Sequence, residues 1–439
     1  MKNILNKNQD LLQRSLQSVW HPCTQMKAHE HLPLLPIARA EGVWLEDFDG
    51  RKYLDGVSSW WVNLFGHNEP RIKAAIGRQL DQLEHVMLAG FTHEPVVQLS
   101  EKLGRLTGLG HCFYASDGAS ATEIALKMSF HYWRNSDLPN KTKFLSLQNS
   151  YHGETIGALA VTDVAIFKDT YAPLLQQSMQ MPSPDARLAD ADETAEAYAV
   201  RCAEFVEKYL SHHHAEIAAF IVEPLIQCAG GMGMYSPVYL KRVREICSKY
   251  QVHLIADEIA VGFGRTGSMF ACEQAEIQPD FICLSKGITG GYLPLSVTLT
   301  TDEIYQAFYD DSVARGFLHS HSYTGNALAC SAALATLEIF EQDQVLMKNQ
   351  KTQAYINAQL ALWGDMPIKH LRHQGMIWAF DVITSSSKLQ QNFYQQALSQ
   401  GLLLRPIGNT VYFMPPYVIN ESEIDFMLST TKSLVLACA

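Results

Sequence analysis

Residues 252–267 read VHLIADEIAVGFGRTG, and residues 280–291 read DFICLSKGITGG. Each stretch contains an apolar run of strand length; the first run ends in Asp257, and the second is followed closely by Lys286. In open α/β sheets, ligands collect outside the carboxyl ends of the strands. The two stretches therefore predict neighbouring strands that each deliver one functional group to a ligand site.

The middle of the chain alternates short apolar runs with longer segments of helical period. Such alternation predicts an α/β fold with a mostly parallel sheet that helices cover on both faces. The predicted strands cover residues 112–115, 144–147, 218–222, 252–256, 281–284 and 295–299. The predicted helices cover residues 119–134, 237–250 and 326–340.

Late in the chain the pattern changes to that of a smaller α+β lobe. A helix is followed by short strands near residues 376–382 and 411–414 and then by a final helix. Residues 42–55 predict a β-hairpin that turns at Asp49-Gly50 and packs with this lobe. Because 439 residues exceed one typical core, we expect more than one domain. The expected segments are an N-terminal segment at 1–58 that packs with the small domain, a large domain at 59–340 and a small C-terminal domain at 341–439.

Composition excludes several classes of protein. A formal charge of -11 argues against an extended nucleic-acid surface, and no apolar stretch is long enough to cross a bilayer. The N-terminal residues lack the pattern of a secretory signal, so we expect a cytoplasmic protein. Nine scattered cysteines without a C-x-x-C pair predict reduced thiols and no metal site.

Asp257 and Lys286 together favour one cofactor. Taken alone, Asp257 reads as a helix cap and Lys286 as a side chain that reaches water. Small residues around Lys286 instead favour desolvation, which lowers the pKa of a lysine and makes it a Schiff-base nucleophile. Pyridoxal phosphate needs one amine for its aldehyde and one carboxylate to keep its ring nitrogen protonated. The pair therefore predicts a pyridoxal phosphate site.

Two further stretches follow predicted strands and suit the same cofactor. At residues 116–120, a strand leads into a helix, so the backbone N–H groups of Gly118 and Ala119 could bind a phosphate. An ordinary capped helix start is the alternative. The ring of Tyr151, in a Tyr-His-Gly sequence, could stack on the pyridine face.

Residues 262–267 match G-x-G-x-x-G, the pattern of dinucleotide-binding loops. That reading also requires an acidic residue about 20 positions later, where this chain has the sequence around Lys286. We interpret the glycines as a tight loop that brings Arg265 near the site.

Taken together, these motifs resemble those of the class III aminotransferases of fold-type I, which depend on pyridoxal phosphate. The resemblance covers residues 20–417 and also rests on WHP at 20–22, SSWW at 58–61, NSYHGE at 149–154, RP at 405–406 and MPPY at 414–417. It implies a seven-stranded sheet in the large domain and a homodimer with shared active sites. His321 and Ser322 would contact the phosphate bound by the partner subunit.

These five motifs are most similar to those of members of the class that act in biotin biosynthesis. These aminate 8-amino-7-oxononanoate to 7,8-diaminononanoate. The resemblance implies that Trp60 lines an apolar tunnel for the substrate chain, although paired tryptophans are more often core residues. Arg405 would bind the substrate carboxylate through its planar fork of donors. Tyr412 and Ser320 match further positions that face the substrate.

The chain also departs from this pattern. Cys23 stands where better-known members have a tyrosine that stacks on the adenine of S-adenosylmethionine, and Ala119 replaces a serine. The sequence HSHSYTGN at 319–326 resembles that of relatives that use lysine as amino donor. S-adenosylmethionine and lysine therefore both stay open as donors. Another class III ω-amino-acid aminotransferase and a non-catalytic ligand-sensing relative are the alternatives.

Overall fold

A computed structural model of the chain describes residues 6–32 and 34–438. Its strands in chain order are β1 (Ile37–Glu41), β2 (Trp44–Asp47), β3 (Lys52–Asp55), β4 (His111–Ala115), β5 (Lys143–Leu147), β6 (Met179–Met181), β7 (Ile217–Val222), β8 (Ile226–Gln227), β9 (Gly233–Met234), β10 (His253–Asp257), β11 (Phe281–Leu284), β12 (Ser296–Thr300), β13 (Ile368–Gln374), β14 (Ile377–Val382), β15 (Leu402–Leu403) and β16 (Thr410–Phe413).

The α-helical segments are α1 (Lys7–Ser18), α2 (Ser58–Trp61), α3 (Pro70–Leu80), α4 (Glu94–Thr107), α5 (Gly118–Asn135), α6 (Ile156–Ala160), α7 (Ala165–Lys168), α8 (Ala195–His213), α9 (Pro237–Lys249), α10 (Asp302–Gln306), α11 (Ala327–Asp343), α12 (Val345–Ala361), α13 (Leu389–Ser399) and α14 (Glu421–Cys438). None of these helices, within the described residues, combines the length and apolar character that crossing a lipid bilayer requires.

The largest sheet has seven strands in the order β4-β12-β11-β10-β7-β5-β6. β12 runs antiparallel to both of its neighbours, whereas β11, β10, β7, β5 and β6 are parallel to one another. Every residue of β7, β10 and β11 is buried, as expected for central strands covered on both faces. The predicted α/β fold with a mostly parallel sheet is confirmed.

The core on one face of this sheet lies beneath α5. Ile124 and Ala125 of that helix pack with Ile221 of β7, Ile255 of β10 and Phe281 of β11, and all five are fully buried. This packing fixes the start of α5 relative to the carboxyl ends of the central strands.

The chain divides into two compact units. The large unit contains residues Pro70–Gln350 and Arg372–Met376, and the small unit contains the described parts of Met1–Glu69, Lys351–Leu371 and Ile377–Ala439. The domain boundaries expected from the sequence stay a prediction.

Both chain ends contribute to one sheet of the small unit. That sheet has the order β1-β2-β3-β15, in which Leu402 of β15 pairs in parallel with Leu54 of β3. β2 and β3 form the predicted hairpin, and Gly50 at its turn has a φ of 81°. The hairpin thus shares a sheet with β15, a strand from the C-terminal part of the chain. A three-stranded sheet has the order β13-β14-β16.

Candidate active site

Asp257 and Lys286 lie at the carboxyl ends of adjacent parallel strands in the large unit. Asp257 is the last residue of β10 and pairs with Cys283 of β11, so Lys286 follows that position by three residues. This register places the carboxylate and the amine at the same edge of the sheet, as the sequence predicts.

The Asp257 carboxylate is buried and held by two donors. Its Oδ1 accepts a hydrogen bond from the backbone N–H of Ile259 at 3.1 Å, and its Oδ2 lies 2.7 Å from Nδ1 of His152. With both oxygens engaged in this way, the side chain has one fixed orientation.

His152 is a buried residue that was not among the predicted site residues. Its backbone N–H donates to the Thr162 hydroxyl at 3.0 Å, and its carbonyl accepts from the Thr122 hydroxyl at 3.0 Å. Its Nε2 is buried without a hydrogen-bond partner. The signal was available, because His152 lies within the Tyr-His-Gly sequence already singled out for Tyr151.

Lys286 opens a short 3-10 helix, Lys286–Thr289, with a left-handed backbone φ of 44°. Desolvation by burial lowers the pKa of Lys286, and the nearby Asp257, Cys228 and Glu223 oppose that shift. A lysine with a lowered pKa is more often neutral, which is the form that attacks a carbonyl carbon.

Glu223 is a second buried carboxyl group at this edge. It follows the end of β7 and accepts hydrogen bonds from the backbone N–H of Tyr151 at 2.9 Å and of Cys228 at 3.1 Å. Burial, with a further contribution from Asp257, raises the pKa of Glu223 to about 8. Glu223 follows an apolar strand just as Asp257 does, so its position in the sequence carries the same signal, although it was not among the predicted site residues.

The start of α5 lies against the same group of residues. A Cβ atom on Gly153 would come within 2.5 Å of the Ala119 side chain, and one on Gly118 within 3.0 Å of Ile259. Asp117 caps the helix by accepting from the N–H of Ser120 at 2.9 Å. The first N–H groups of a helix lack intrahelical acceptors, so this helix start can serve both as a capped end and as an anion site.

Both the hydroxyl and the ring of Tyr151 make contacts that hold the side chain in place. Its hydroxyl donates to Oε1 of Glu154 at 2.8 Å, and its ring meets that of Phe167 edge-on at 5.4 Å between centroids. These contacts, together with the bond from its backbone to Glu223, fix the ring on the loop that carries His152.

The glycine-rich loop after β10 is tight, as predicted. Phe263, Gly264 and Gly267 have φ values of 54°, 86° and 103°. Arg265 in this loop is 1% exposed, and its charge lowers the pKa of the Cys228 thiol against the stronger, opposite effect of burial. Arg265 is thus an internal residue of the large unit.

These residues fit pyridoxal phosphate. The large unit supplies a desolvated amine, a carboxylate fixed in orientation, an aromatic ring and a helix start on one sheet edge. Nε2 of His152, whose Nδ1 contacts Asp257, is a buried polar atom without a hydrogen-bond partner. Each of the four groups matches one requirement of the cofactor.

Four of the predicted substrate residues belong to the small unit, namely Cys23, Trp60, Arg405 and Tyr412. The guanidinium carbon of Arg405 lies 4.8 Å from the centroid of the Trp60 ring. Tyr412 is buried on β16, and its hydroxyl accepts from the indole N–H of Trp61 at 3.1 Å. Trp60 and Arg405 are exposed and therefore accessible to a ligand.

Cys23 and the other predicted residues lie in two irregular segments. Cys23 is exposed, with a φ of 52°. Ser320 and Ser322 are exposed residues of the loop before α11. His321 is partly buried in that loop, where its Nδ1 accepts from the N–H of Tyr323 at 3.1 Å.

Known proteins share this arrangement over nearly the whole chain. Residues 25–435 match the family model described as Aminotransferase class-III. The chain belongs to the class III aminotransferases. Its predicted family is thereby confirmed.

This class III aminotransferase is similar to proteins that share one name. Adenosylmethionine-8-amino-7-oxononanoate aminotransferase from Helicobacter pylori is 49% identical over 428 residues, with 96% of each chain covered. The protein of the same name from Aquifex aeolicus is 40% identical, with 94% of each chain covered.

Solved structures of transaminases share the fold of this class III aminotransferase. The crystal structure of adenosylmethionine-8-amino-7-oxononanoate aminotransferase from Methanocaldococcus jannaschii matches with a TM-score of 0.92 and 36% identity, covering 98% of this chain and 99% of the other. An amine transaminase from an uncultivated Pseudomonas species, solved in its PLP-bound form, matches with a TM-score of 0.90 and 32% identity, covering 96% and 99%.

Proposed function

We propose that this class III aminotransferase uses pyridoxal phosphate to convert 8-amino-7-oxononanoate into 7,8-diaminononanoate, a step of biotin biosynthesis that occurs in the cytoplasm. The observation that carries the proposal is the placement of Lys286 and Asp257 at the ends of adjacent parallel strands. The similarity to the Helicobacter pylori protein, at 49% identity, supports the choice of substrate.

Lys286 and Asp257 have complementary roles in this proposal. Bound pyridoxal phosphate supplies an aldehyde and a ring that withdraws electrons from the carbon bearing the substrate amine. Lys286 would hold the cofactor aldehyde through Nζ, and its amine would be the group that moves a proton at the substrate carbon. Burial lowers the pKa of Lys286, which raises the neutral fraction of its amine. Asp257, oriented by His152, keeps the ring nitrogen protonated.

The remaining residues of the large unit bind and orient the cofactor. Gly118 and Ala119 bind the phosphate through backbone N–H groups, so the absence of a serine hydroxyl at Ala119 is tolerated. Tyr151 covers the face of the ring. Arg265 is the buried cation of the glycine-rich loop, and its proposed role is to bind the substrate through its positive charge.

The small unit supplies the binding groups for the acceptor. Arg405 pairs with the terminal carboxylate of 8-amino-7-oxononanoate, because a planar guanidinium matches a carboxylate with two parallel hydrogen bonds. Trp60, which is 43% exposed, packs against the aliphatic chain. Tyr412 contributes to acceptor binding indirectly, because its hydroxyl accepts a hydrogen bond from the indole N–H of Trp61.

We also propose that the enzyme works as a homodimer. His321 and Ser322 of each protomer then reach the phosphate site of the partner, and Ser320 lines the donor site. Exposed apolar side chains on either side of this loop support a protein interface there, since Leu318 is 80% and Tyr323 is 65% exposed.

S-adenosylmethionine is the first candidate for the amino donor, and lysine is the second. Cys23 favours lysine, because a thiol cannot stack on adenine as an aromatic ring does. A half-reaction separates the two: the cofactor-loaded protein is mixed with each donor alone, and loss of its yellow absorbance is followed. The compound that bleaches the protein and is recovered as its deaminated product is the donor.

Growth tests the function in cells. A biotin auxotroph that lacks this step is expected to grow without biotin when it expresses the chain. The Lys286→Ala variant, expressed to the same level, should not restore growth. If the expressed wild-type chain also fails to rescue, a different class III substrate is indicated and the proposed acceptor is wrong.

A further inference from the structure

Four consecutive residues of the small unit adopt a left-handed backbone. Ser58, Ser59, Trp60 and Trp61 of α2 have φ values of 51°, 46°, 72° and 74°. For residues with a Cβ atom this region is sterically unfavourable. A run of four such residues persists only where surrounding contacts determine it.

Asp55 supplies several of those contacts. Its Oδ1 accepts from the backbone N–H of Ser59 at 2.9 Å and of Val57 at 3.4 Å. Its Oδ2 accepts from the Ser59 hydroxyl at 2.7 Å and lies 3.1 Å from Nε2 of His67. The Asp55 side chain is fully buried, so these hydrogen-bond partners take the place of the water molecules that would otherwise solvate its carboxylate.

The other members of the turn are anchored to the C-terminal part of the small unit. The Ser58 hydroxyl donates to the carbonyl of Met414 at 2.7 Å, and the Trp61 indole donates to Tyr412. Trp60 stands between these anchored residues, and it is the one whose ring lies beside the Arg405 guanidinium.

We propose that Asp55 is a positioning residue for the acceptor. Through Ser59 it holds the left-handed turn that presents Trp60 to Arg405, and this pair then receives a long-chain carboxylate. The inference rests on the proposed function, because it assumes that Trp60 and Arg405 bind the acceptor. In this proposal Asp55 does not touch the substrate and acts only through Ser59 and Trp60. The same contacts explain why α2 keeps its unfavourable backbone.

A binding experiment tests the role of Asp55 without turnover. Nonanoate has the carbon chain and carboxylate of the proposed acceptor but no keto or amino group, and its binding to the cofactor-loaded protein is measured by calorimetry. We expect Asp55→Asn to raise the Kd for nonanoate roughly tenfold, the effect of about one hydrogen bond to a charged group.

Asp47→Asn is the matched control. Asp47 is a buried carboxylate of the same sheet that accepts from the N–H groups of Asp49 and Arg51 and from the Tyr53 hydroxyl, away from α2. Its variant is expected to bind nonanoate as the wild type does. Equal Kd values for the Asp55 and Asp47 variants, or no binding by the wild type, would overturn the inference.

Kinetics distinguish positioning from a general loss of structure. Asp55→Asn should raise the KM for 8-amino-7-oxononanoate, while the rate of the donor half-reaction stays within about twofold of the wild type. In an Arg405→Ala background the Asp55 substitution should have little further effect on KM, because its target is gone. If the KM of the double variant rose by the product of the two single-variant factors, the inference would be contradicted.

Ser59→Ala keeps the test decisive if Asp55→Asn does not fold. This variant removes only the hydroxyl bond to Asp55, and a smaller rise in the same Kd is expected; an unchanged Kd would overturn the inference. A wild type whose affinity for nonanoate depends on Asp55, but which does not aminate 8-amino-7-oxononanoate, would leave the positioning role intact and refute the proposed acceptor.

Discussion

Nδ1 of His152 lies 2.7 Å from Oδ2 of Asp257, and both side chains are buried. A carboxylate that must keep a ring nitrogen protonated needs a fixed orientation as well as a charge. His152 fixes the orientation of the Asp257 carboxylate, and the end of β10 places that carboxylate at the sheet edge. The pair links a loop residue to a strand residue across the sheet edge.

His152→Phe is expected to weaken cofactor binding. The substitution keeps an aromatic ring of similar size but removes the donor to Asp257, so the carboxylate loses one of its two fixed contacts. We expect the Kd for pyridoxal phosphate to rise about tenfold, corresponding to roughly 1.4 kcal/mol. The Kd is measured by titrating the cofactor-free protein and following the yellow absorbance.

His253→Phe is the control for that change. His253 is another buried histidine, at the opposite end of the same strand, where it contacts the Ser129 hydroxyl at 2.8 Å. Its variant should alter stability without altering the Kd for the cofactor. Similar Kd changes in both variants would mean that the effect of His152 is only structural.

Lys286→Met is expected to stabilise the cofactor-free protein near neutral pH. Desolvation lowers the folded-state pKa of Lys286 from its ordinary value of 10.5, so folding disfavours the charged amine. The penalty is fully present below the folded-state pKa and disappears as the pH rises towards 10.5. Urea unfolding at several pH values should show a variant that is more stable at neutral pH, with a shrinking advantage at alkaline pH. A wild type that is the more stable protein at neutral pH would contradict the assigned cause.

Glu223→Gln is expected to change how stability depends on pH. The pKa of Glu223 is raised from 4.5 to about 8, mainly by burial, so the folded state binds the proton more tightly than the unfolded state. This carboxyl therefore contributes stability that is present below pH 4.5 and is lost as the pH rises to about 8. In cofactor-free protein, the free energy of unfolding of the Glu223→Gln variant should not show this decrease between pH 4.5 and about 8. Parallel stability profiles for the two proteins would refute the raised pKa.

Arg405→Lys is expected to impair acceptor binding although the charge is kept. A lysine ammonium cannot form two parallel hydrogen bonds with a carboxylate, and the substitution removes the guanidinium that lies 4.8 Å from the centroid of the Trp60 ring. We expect the KM for 8-amino-7-oxononanoate to rise roughly tenfold in Arg405→Lys and up to about 100-fold in Arg405→Ala. The donor half-reaction serves as the internal control and should be unchanged. Equal KM values for wild type and Arg405→Lys would argue against bidentate binding.

The central strands could be predicted from the sequence because burial leaves a strong pattern there. β7 and β11 consist of consecutive apolar residues, and β10 has three apolar residues between His253 and Asp257. The predicted strands begin or end within one residue of the observed ones. β6 was missed because it has only three residues at the sheet edge and one of them is exposed. The seven-stranded sheet came from the family resemblance rather than from the strand pattern.

The site was predictable where function depends on single strand ends, and less so where it depends on contacts. Asp257 and Lys286 follow apolar runs, so the sequence alone marks them. His152 acts through a residue that is distant in the chain, and no local pattern predicts that contact. The left-handed turn around Trp60 is equally hidden, since serine and tryptophan carry no preference for such a backbone.

Product formation by the purified, cofactor-loaded protein tests the central claim most directly. The protein is incubated with 8-amino-7-oxononanoate and either S-adenosylmethionine or lysine, and 7,8-diaminononanoate is measured by mass spectrometry. The account predicts product with at least one donor and none with Lys286→Ala. A folded, yellow wild-type protein that makes no 7,8-diaminononanoate with either donor, or a Lys286→Ala variant that still makes it, would contradict the account.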